Sequence, residues 1–389
     1  MQIPDPASLL EHFINIPDPR NARGTLHSLR DIIVISILAV ISGANTFVDI
    51  AGYAKAKEPW LRTFLQLTNG TPSHDTFNHV FAILNPHDWH SRFLRWAQEL
   101  KVLTPELEDE SQEILALDGK TARRARNADQ HGLHTISVWA VNAGIVLAQA
   151  QVPEKQNEIT ALPDLIETSN VAGSIVTMDA LCKARLGVTG TQKNIAWRIR
   201  EHHADYMLAL KDNHPKLAAD VTWLFDHADS LGWQGIPHGF FESFTKAHGR
   251  EETRRYWVLS DLSLLENRAS WRDLQCVVRV ESTRVTVKGT SVERRYFLTS
   301  LPCDVQRCAR AIRLHWGVEN CLHWVLDMAF GEDSNRAREG NVQANLVTVR
   351  HVALNLLKLE RSLSVGVLAK RLRAGWDEAY LLRVVGIEL

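Results

Sequence analysis

A chain of 389 residues, 45% hydrophobic and 23% charged, has ample material for a buried core and for two or three domains. Its formal net charge of −1 excludes a uniformly basic surface, so a polyanionic partner would have to be met by local clusters. The scattered cysteines Cys182, Cys276, Cys303, Cys308 and Cys321 include no Cys-x-x-Cys pair, which argues against a zinc knuckle or disulfide framework and for buried free thiols.

Residues 1–110 read as a helical N-terminal domain, with nine basic against thirteen acidic residues. Met1-Gln2-Ile3-Pro4-Asp5-Pro6 has neither the basic nor the apolar region of a secretory signal. Leu29 to Ile41 is the first strong helix. The longest apolar stretch, Ile32 to Ala44, falls short of the about 20 residues a bilayer requires. A buried helix in a cytoplasmic protein, with no membrane partner, is therefore expected. Further on, Glu58 to Leu65, the turn Asn69-Gly70-Thr71-Pro72 and Ser73 to Phe81 outline helix, turn, helix. Thr71 suits a cap with Pro72 at the first helical position, and Asn85-Pro86 closes the second helix. Residues 58–84 are compatible with a DNA-reading helix-turn-helix, but any helical bundle contains such an outline, and the bundle is the preferred reading.

Glu106-Leu107-Glu108-Asp109-Glu110 reads as a linker, after which the pattern changes. Ile114 to Leu117, His134 to Val141 and Ile145 to Val152 are strand-like, the last two joined at Asn142-Ala143-Gly144. A helix from Glu158 to Glu167, a strand from Ser174 to Met178, a helix from Asn194 to His202 and a strand from Tyr206 to Leu210 follow. Three strands, then helix, strand, helix, strand, is the order of a ribonuclease H-like α/β sheet. Residues 111–335 are expected to form this catalytic core, with a β-rich insertion at about 236–301. Beyond Asp304 the chain reads as helical, including Asn341 to Leu359, and residues 336–389 form a helical tail.

Three acidic residues lie where a carboxylate is well presented. Asp118 ends the apolar run Ile114 to Leu117, Asp179 ends Ile175 to Met178, and Glu319 falls in the helical stretch Ile312 to Asn320. Two strand-end aspartates and a helical glutamate suit a pair of divalent metals roughly 3.5–4 Å apart, the arrangement that cuts and rejoins phosphodiesters. Magnesium, or manganese in its place, is the expected ion, because hard cations prefer oxygen ligands. His315, Glu319, His323 and Asp327 recur every four residues and form a polar stripe, a pattern usual for a solvated helix face. This pattern, together with the family resemblance given below, ranks Glu319 above Asp327 and Glu332 as third ligand. Lys120, Arg123, Arg313 and His315 are the candidate phosphate contacts. Between Arg284 and Arg313 seven basic residues face two acidic ones, and residues 336–389 carry nine against five, the clustering a polyanionic substrate would require and that solvated helix faces also produce.

Taken together, several motifs are specific. They are Ile16-Pro17-Asp18-Pro19-Arg20, Pro72-Ser73-His74-Asp75-Thr76-Phe77, Leu117-Asp118-Gly119-Lys120-Thr121, Asn157-Glu158-Ile159-Thr160-Ala161 and Ile175 to Ala180. The longest are His315-Trp316-Gly317-Val318-Glu319-Asn320 and Leu322-His323-Trp324-Val325-Leu326-Asp327. Through them the chain resembles bacterial insertion-sequence transposases of the H-repeat-associated type, a branch of the DDE transposases, from about Ile16 to Leu357. The resemblance implies Asp118, Asp179 and Glu319 as catalytic, metal-holding residues, 61 and 140 residues apart. It implies metal-dependent cleavage of double-stranded DNA at element ends, then strand transfer into target DNA by a protein that acts as a homodimer. One departure stands out: Thr191-Gln192-Lys193 follows Asp179 only after a segment about eight or nine residues longer than the usual short strand-to-helix loop. Two rival readings are a catalytically inactive DNA-binding repressor and a metal-dependent nuclease that never joins strands.

Overall fold

The computed structural model describes residues 12–13, 15–21, 25–103, 112–121, 134–152, 158–179, 191–211, 214–247 and 249–386. Arg123, Cys182, the acidic stretch 106–110 and the long segment after Asp179 lie outside them. The first half of the chain contains α1 (Leu29–Ile41), α2 (Phe47–Ala56), α3 (Glu58–Leu61), α4 (His74–Ile83), α5 (Pro86–Leu103), β1 (Ile114–Thr121), β2 (His134–Ala140), β3 (Ile145–Val152), α6 (Glu158–Thr168), β4 (Ile175–Met178), α7 (Thr191–Glu201) and β5 (Asp205–Leu210). It continues with α8 (Pro215–Ser230), β6 (His238–Ala247), β7 (Arg250–Leu259), β8 (Cys276–Thr286), β9 (Gly289–Thr299) and α9 (Val305–His315). Last come a π-turn (Glu319–His323), α10 (Trp324–Phe330), a 3-10 turn (Glu332–Ser334), α11 (Val342–Leu359), α12 (Val367–Trp376) and α13 (Glu378–Val385). The result is a mixed α/β protein with a large mixed sheet and a helical N-terminal region.

Two compact units are built from interleaved stretches. The first takes residues 1–109, 119–154 and 319–389; the second takes 110–118 and 155–318.

In the first unit, α1 is buried at every position from Asp31 to Ile41, as befits a helix apolar on all sides. Ser28 caps it by accepting from the Asp31 N–H, and Ser36 returns its hydroxyl to the Ile32 carbonyl at 2.7 Å. The final carbonyls of a helix lack partners within it. Arg371 of α12 meets this need at α1, donating to the Val40 carbonyl at 2.6 and 2.9 Å and to the Ala44 carbonyl at 2.9 Å. Its guanidinium lies 4.2 Å from the Phe330 ring centroid. Across α1 packs α11, buried from Ala344 to Leu357. Polar side chains of α11 reach backbone. Asn345 donates to the Phe81 carbonyl at 2.8 Å, and the Asn355 amide brackets Val146, accepting from its N–H and donating to its carbonyl, both at 2.8 Å. That bracket sits where the β2–β3 register slips between Val138 and Trp139.

Ser73, not Thr71, caps α4, accepting from the Thr76 N–H, and Pro86 opens α5. The connection from Leu61 to His74 is far longer than the 3–4-residue turn of a helix-turn-helix. Among the described residues no helix is long and apolar enough to cross a membrane.

In the second unit the strands lie in the order β1-β4-β5-β9-β8-β7-β6. β1, β4 and β5 are parallel, β9 turns antiparallel to β5, and β9, β8, β7 and β6 continue as antiparallel pairs. Here part of the basic run is balanced by acids. Arg294 meets Glu281 at 2.8 Å and Arg284 meets Glu252 at 3.4 Å across strands, and Arg295 meets Glu293 at 2.8 Å along β9. Arg279 is buried, bidentate to Asp229 and 4.1 Å from the Trp257 ring centroid. Of the thiols, Cys276 and Cys308 are buried as expected; Cys303 is exposed and Cys321 half-buried, against expectation. Burial pushes the Cys276 thiol up to about 12.

Candidate active site

In the second unit, β1 and β4 run in parallel with Leu117 opposite Met178, which makes Asp118 and Asp179 the next residue on each strand. Neighbouring strands lie about 4.7–4.9 Å apart, so the two backbones present these carboxylates side by side. Leu117 and Met178 are buried. Side chains alternate along a strand, so both aspartates lean to the opposite face, and both are half-buried. The sequence explains the placement: each apolar run fills a central strand, and each aspartate comes where the strand leaves the core.

The Asp179 carboxylate accepts from the Lys211 ammonium through both oxygens, at 2.9 and 3.1 Å. Lys211 directly follows β5, the other parallel neighbour of β4. One position before Met178, buried Thr177 shares a 2.9 Å hydrogen bond with Nδ1 of His315, which is itself buried at the end of α9. His315 therefore fastens α9 to the strand that carries Asp179. Arg313, two residues earlier on α9, is exposed. Trp316 lies under the Arg295 guanidinium, 4.2 Å from ring centroid to Cζ.

Two carboxylates on rigid adjacent strands suit a hard divalent ion, with which the Lys211 ammonium would compete for Asp179.

In the first unit, Glu319 opens the π-turn and is exposed, with its Oε2 3.5 Å from Nδ1 of buried His323. The turn breaks the four-residue spacing, because a π-turn bonds i to i+5. His315, His323 and Asp327 do not form the solvated stripe that regular helical spacing predicts: both histidines are buried, and Asp327 binds Lys120. Lys120 also bonds Glu332 at 2.7 Å, and Glu332 lies 3.9 Å from Arg350. Burial disfavours the Lys120 charge, but Glu332 and Asp327 outweigh it and hold the lysine above its ordinary value. Burial likewise opposes the Glu332 charge, yet Lys120 and Arg350 keep it below the ordinary glutamate range. Beside them burial drives the His351 imidazole down to about 3, so it stays neutral.

Four residues that matter here had no assigned role in the sequence: Thr177, Lys211, Asp327 as a lysine partner, and Glu332 likewise. A lysine directly after a central parallel strand was the available signal for Lys211. Lys120 and His315, expected on phosphates, hold protein groups.

Comparison with known proteins adds the following. The family described as "Transposase DDE domain" matches residues 109–356, and the one described as "DDE_Tnp_1-associated" matches residues 10–97. The chain is similar to "H repeat-associated putative transposase YhhI" of Escherichia coli (strain K12), 31% identical over 386 residues and 97% of each chain. "Putative protein YbfL" of the same strain matches at the same identity and coverage. An "Uncharacterized protein in dhlA 3'region" of Xanthobacter autotrophicus is 39% identical over 305 residues, 78% of this chain and 96% of that one.

Proposed function

Because the chain belongs to the DDE transposase family, we propose that it is an active transposase, cutting double-stranded DNA at the ends of its insertion sequence and joining them to target DNA. The register that puts Asp118 beside Asp179 is the observation that carries this reading. The sheet would be ribonuclease H-like, with β6 to β9 as its insertion, and Glu319 would be the third carboxylate. A homodimer fits the task of holding two element ends together.

Asp118 and Asp179 would hold divalent metal through oxygens fixed by their strands, and Glu319 would complete the set and orient the nucleophile. Magnesium or manganese, when bound, lowers the pKa of water or a 3′-hydroxyl and stabilises the leaving oxygen. The chain's own residues supply position. Thr177 and His315 brace the strand of Asp179 against α9, whose exposed Arg313 is one proposed phosphate contact. Arg123 is the second proposed phosphate contact. Lys211 keeps Asp179 compensated until metal arrives.

The test is Asp118→Asn, which removes metal-binding charge while keeping shape. Nicking of terminal-repeat DNA should fall on the order of 10³-fold, with DNA binding retained. Wild-type nicking by this variant would overturn the site. DNA binding without any metal-dependent nicking by the unaltered chain would point to a repressor, and nicking without joined products to a simple nuclease.

A further inference from the structure

We propose that Lys120 is a positioning residue for Glu319, holding in place the helical run that begins there. The inference rests on the reading of Asp118 and Glu319 as metal-holding residues.

Lys120 lies two positions beyond Asp118 on β1, yet its side chain is only 14% exposed and its ammonium is shared between Asp327 and Glu332. These carboxylates bracket α10: Asp327 is in its first turn, and Glu332 opens the 3-10 turn after it. One ammonium thus holds both ends of the helix into which the π-turn of Glu319 runs. Glu332 is anchored in turn by Arg350, a buried member of α11. α11 packs along α1, so the far end of the tether is set in the core of the first unit.

Stability alone is a poor account of this arrangement. A buried ion pair replaced by apolar residues is often no less stable, because desolvation consumes much of the attraction. What two carboxylates on one lysine do supply is direction, and a π-turn creates the need for it. Its i to i+5 bonding is rare, and without an external restraint the run from Glu319 to Phe330 would gain by returning to regular α-helix. That return would rotate Glu319 relative to α10. The two bonds to Lys120 hold α10, and with it the turn, in place. A carboxylate misplaced by about 1 Å can cost on the order of 10²-fold in rate.

The experiment uses the full chain with three variants: Lys120→Met, Lys120→Arg and Asp327→Asn. Mn2+ binding is read by electron paramagnetic resonance without DNA, and kcat and KM are read for nicking of a terminal-repeat duplex. Lys120→Met is expected to weaken Mn2+ binding about tenfold and to lower kcat about 10²-fold with KM little changed. Lys120→Arg should restore part of both losses. Should Lys120→Met fail to fold, Asp327→Asn gives the same readouts, because it removes one half-exposed charge at constant shape, and a smaller loss of the same kind is expected. Wild-type Mn2+ binding and kcat in Lys120→Met, or in Asp327→Asn where the first does not fold, would overturn the proposal. Asp118→Asn is the control for the underlying reading: if it too binds Mn2+ normally, the metal site itself is wrong.

Discussion

Thr177 and His315 are 138 positions apart in the chain and meet through a 2.9 Å hydrogen bond in the buried layer between β4 and α9. The bond lies two residues before Asp179 and four before Glu319. It makes a helix and a strand move as one piece beside Asp179.

Thr177→Val keeps the β-branched shape and deletes the hydroxyl. Removing one partner of a buried hydrogen bond costs about 1–3 kcal/mol. The urea midpoint should fall accordingly, and an unchanged midpoint would mean that the bond contributes nothing to holding α9.

Lys211 competes with any cation for Asp179, and it is about half exposed, 46%. Pairs of this kind are worth roughly 0.2–1 kcal/mol. Lys211→Met should therefore tighten Mn2+ binding up to about fivefold, read by titration calorimetry in the absence of DNA. Weaker binding in the variant would instead assign Lys211 to supporting the site.

Arg279 gives a pH signature. Its hydrogen bond to Asp229 is the main cause that holds the Asp229 pKa below the ordinary aspartate value. A carboxylate depressed in the folded state stabilises above its unfolded pKa, about 3.9, and loses that contribution as pH falls through the folded value. Wild type should be more stable than Asp229→Asn at pH 7, and the gap should close below about pH 4. The comparison is of urea midpoints at the two pH values, and a gap independent of pH would remove the ion pair from the explanation.

Much of the secondary structure was legible, because apolar runs ended by aspartate mark central strands: the strand read as Ser174 to Met178 is β4, which begins one residue later at Ile175. Within the β-rich insertion, polar residues such as Lys246 and Glu251 carry β6 and β7 outward without an apolar pattern, so the ends of these strands leave no signal. The cap of α4 moved from Thr71 to Ser73, since Pro72 before an eligible serine left two adequate starts. The π-turn had no signature, as its residues also satisfy α-helical spacing. The partners of Lys120 were hidden for a different reason. Asp327 lies 207 residues away and Glu332 212, and a lysine beside Asp118-Gly119 reads equally well as a phosphate contact. Charge counts misled in the same manner. Some of the basic residues that made two stretches look DNA-seeking are matched by acids, as Arg294 is by Glu281 on the neighbouring strand and Arg373 is by Asp377 at the end of α12.

The pairing of α1 with α11 also sets a schedule for synthesis. α1 leaves the ribosome early, and the helix that covers it follows roughly 300 residues later, a delay of about 15–60 s at ordinary translation rates. Through that interval an apolar helix waits for its cover. A gene copy cut short by a frameshift before residue 342 never supplies it, so decay of the element from its 3′ end would burden the host with a sticky fragment rather than a quiet one.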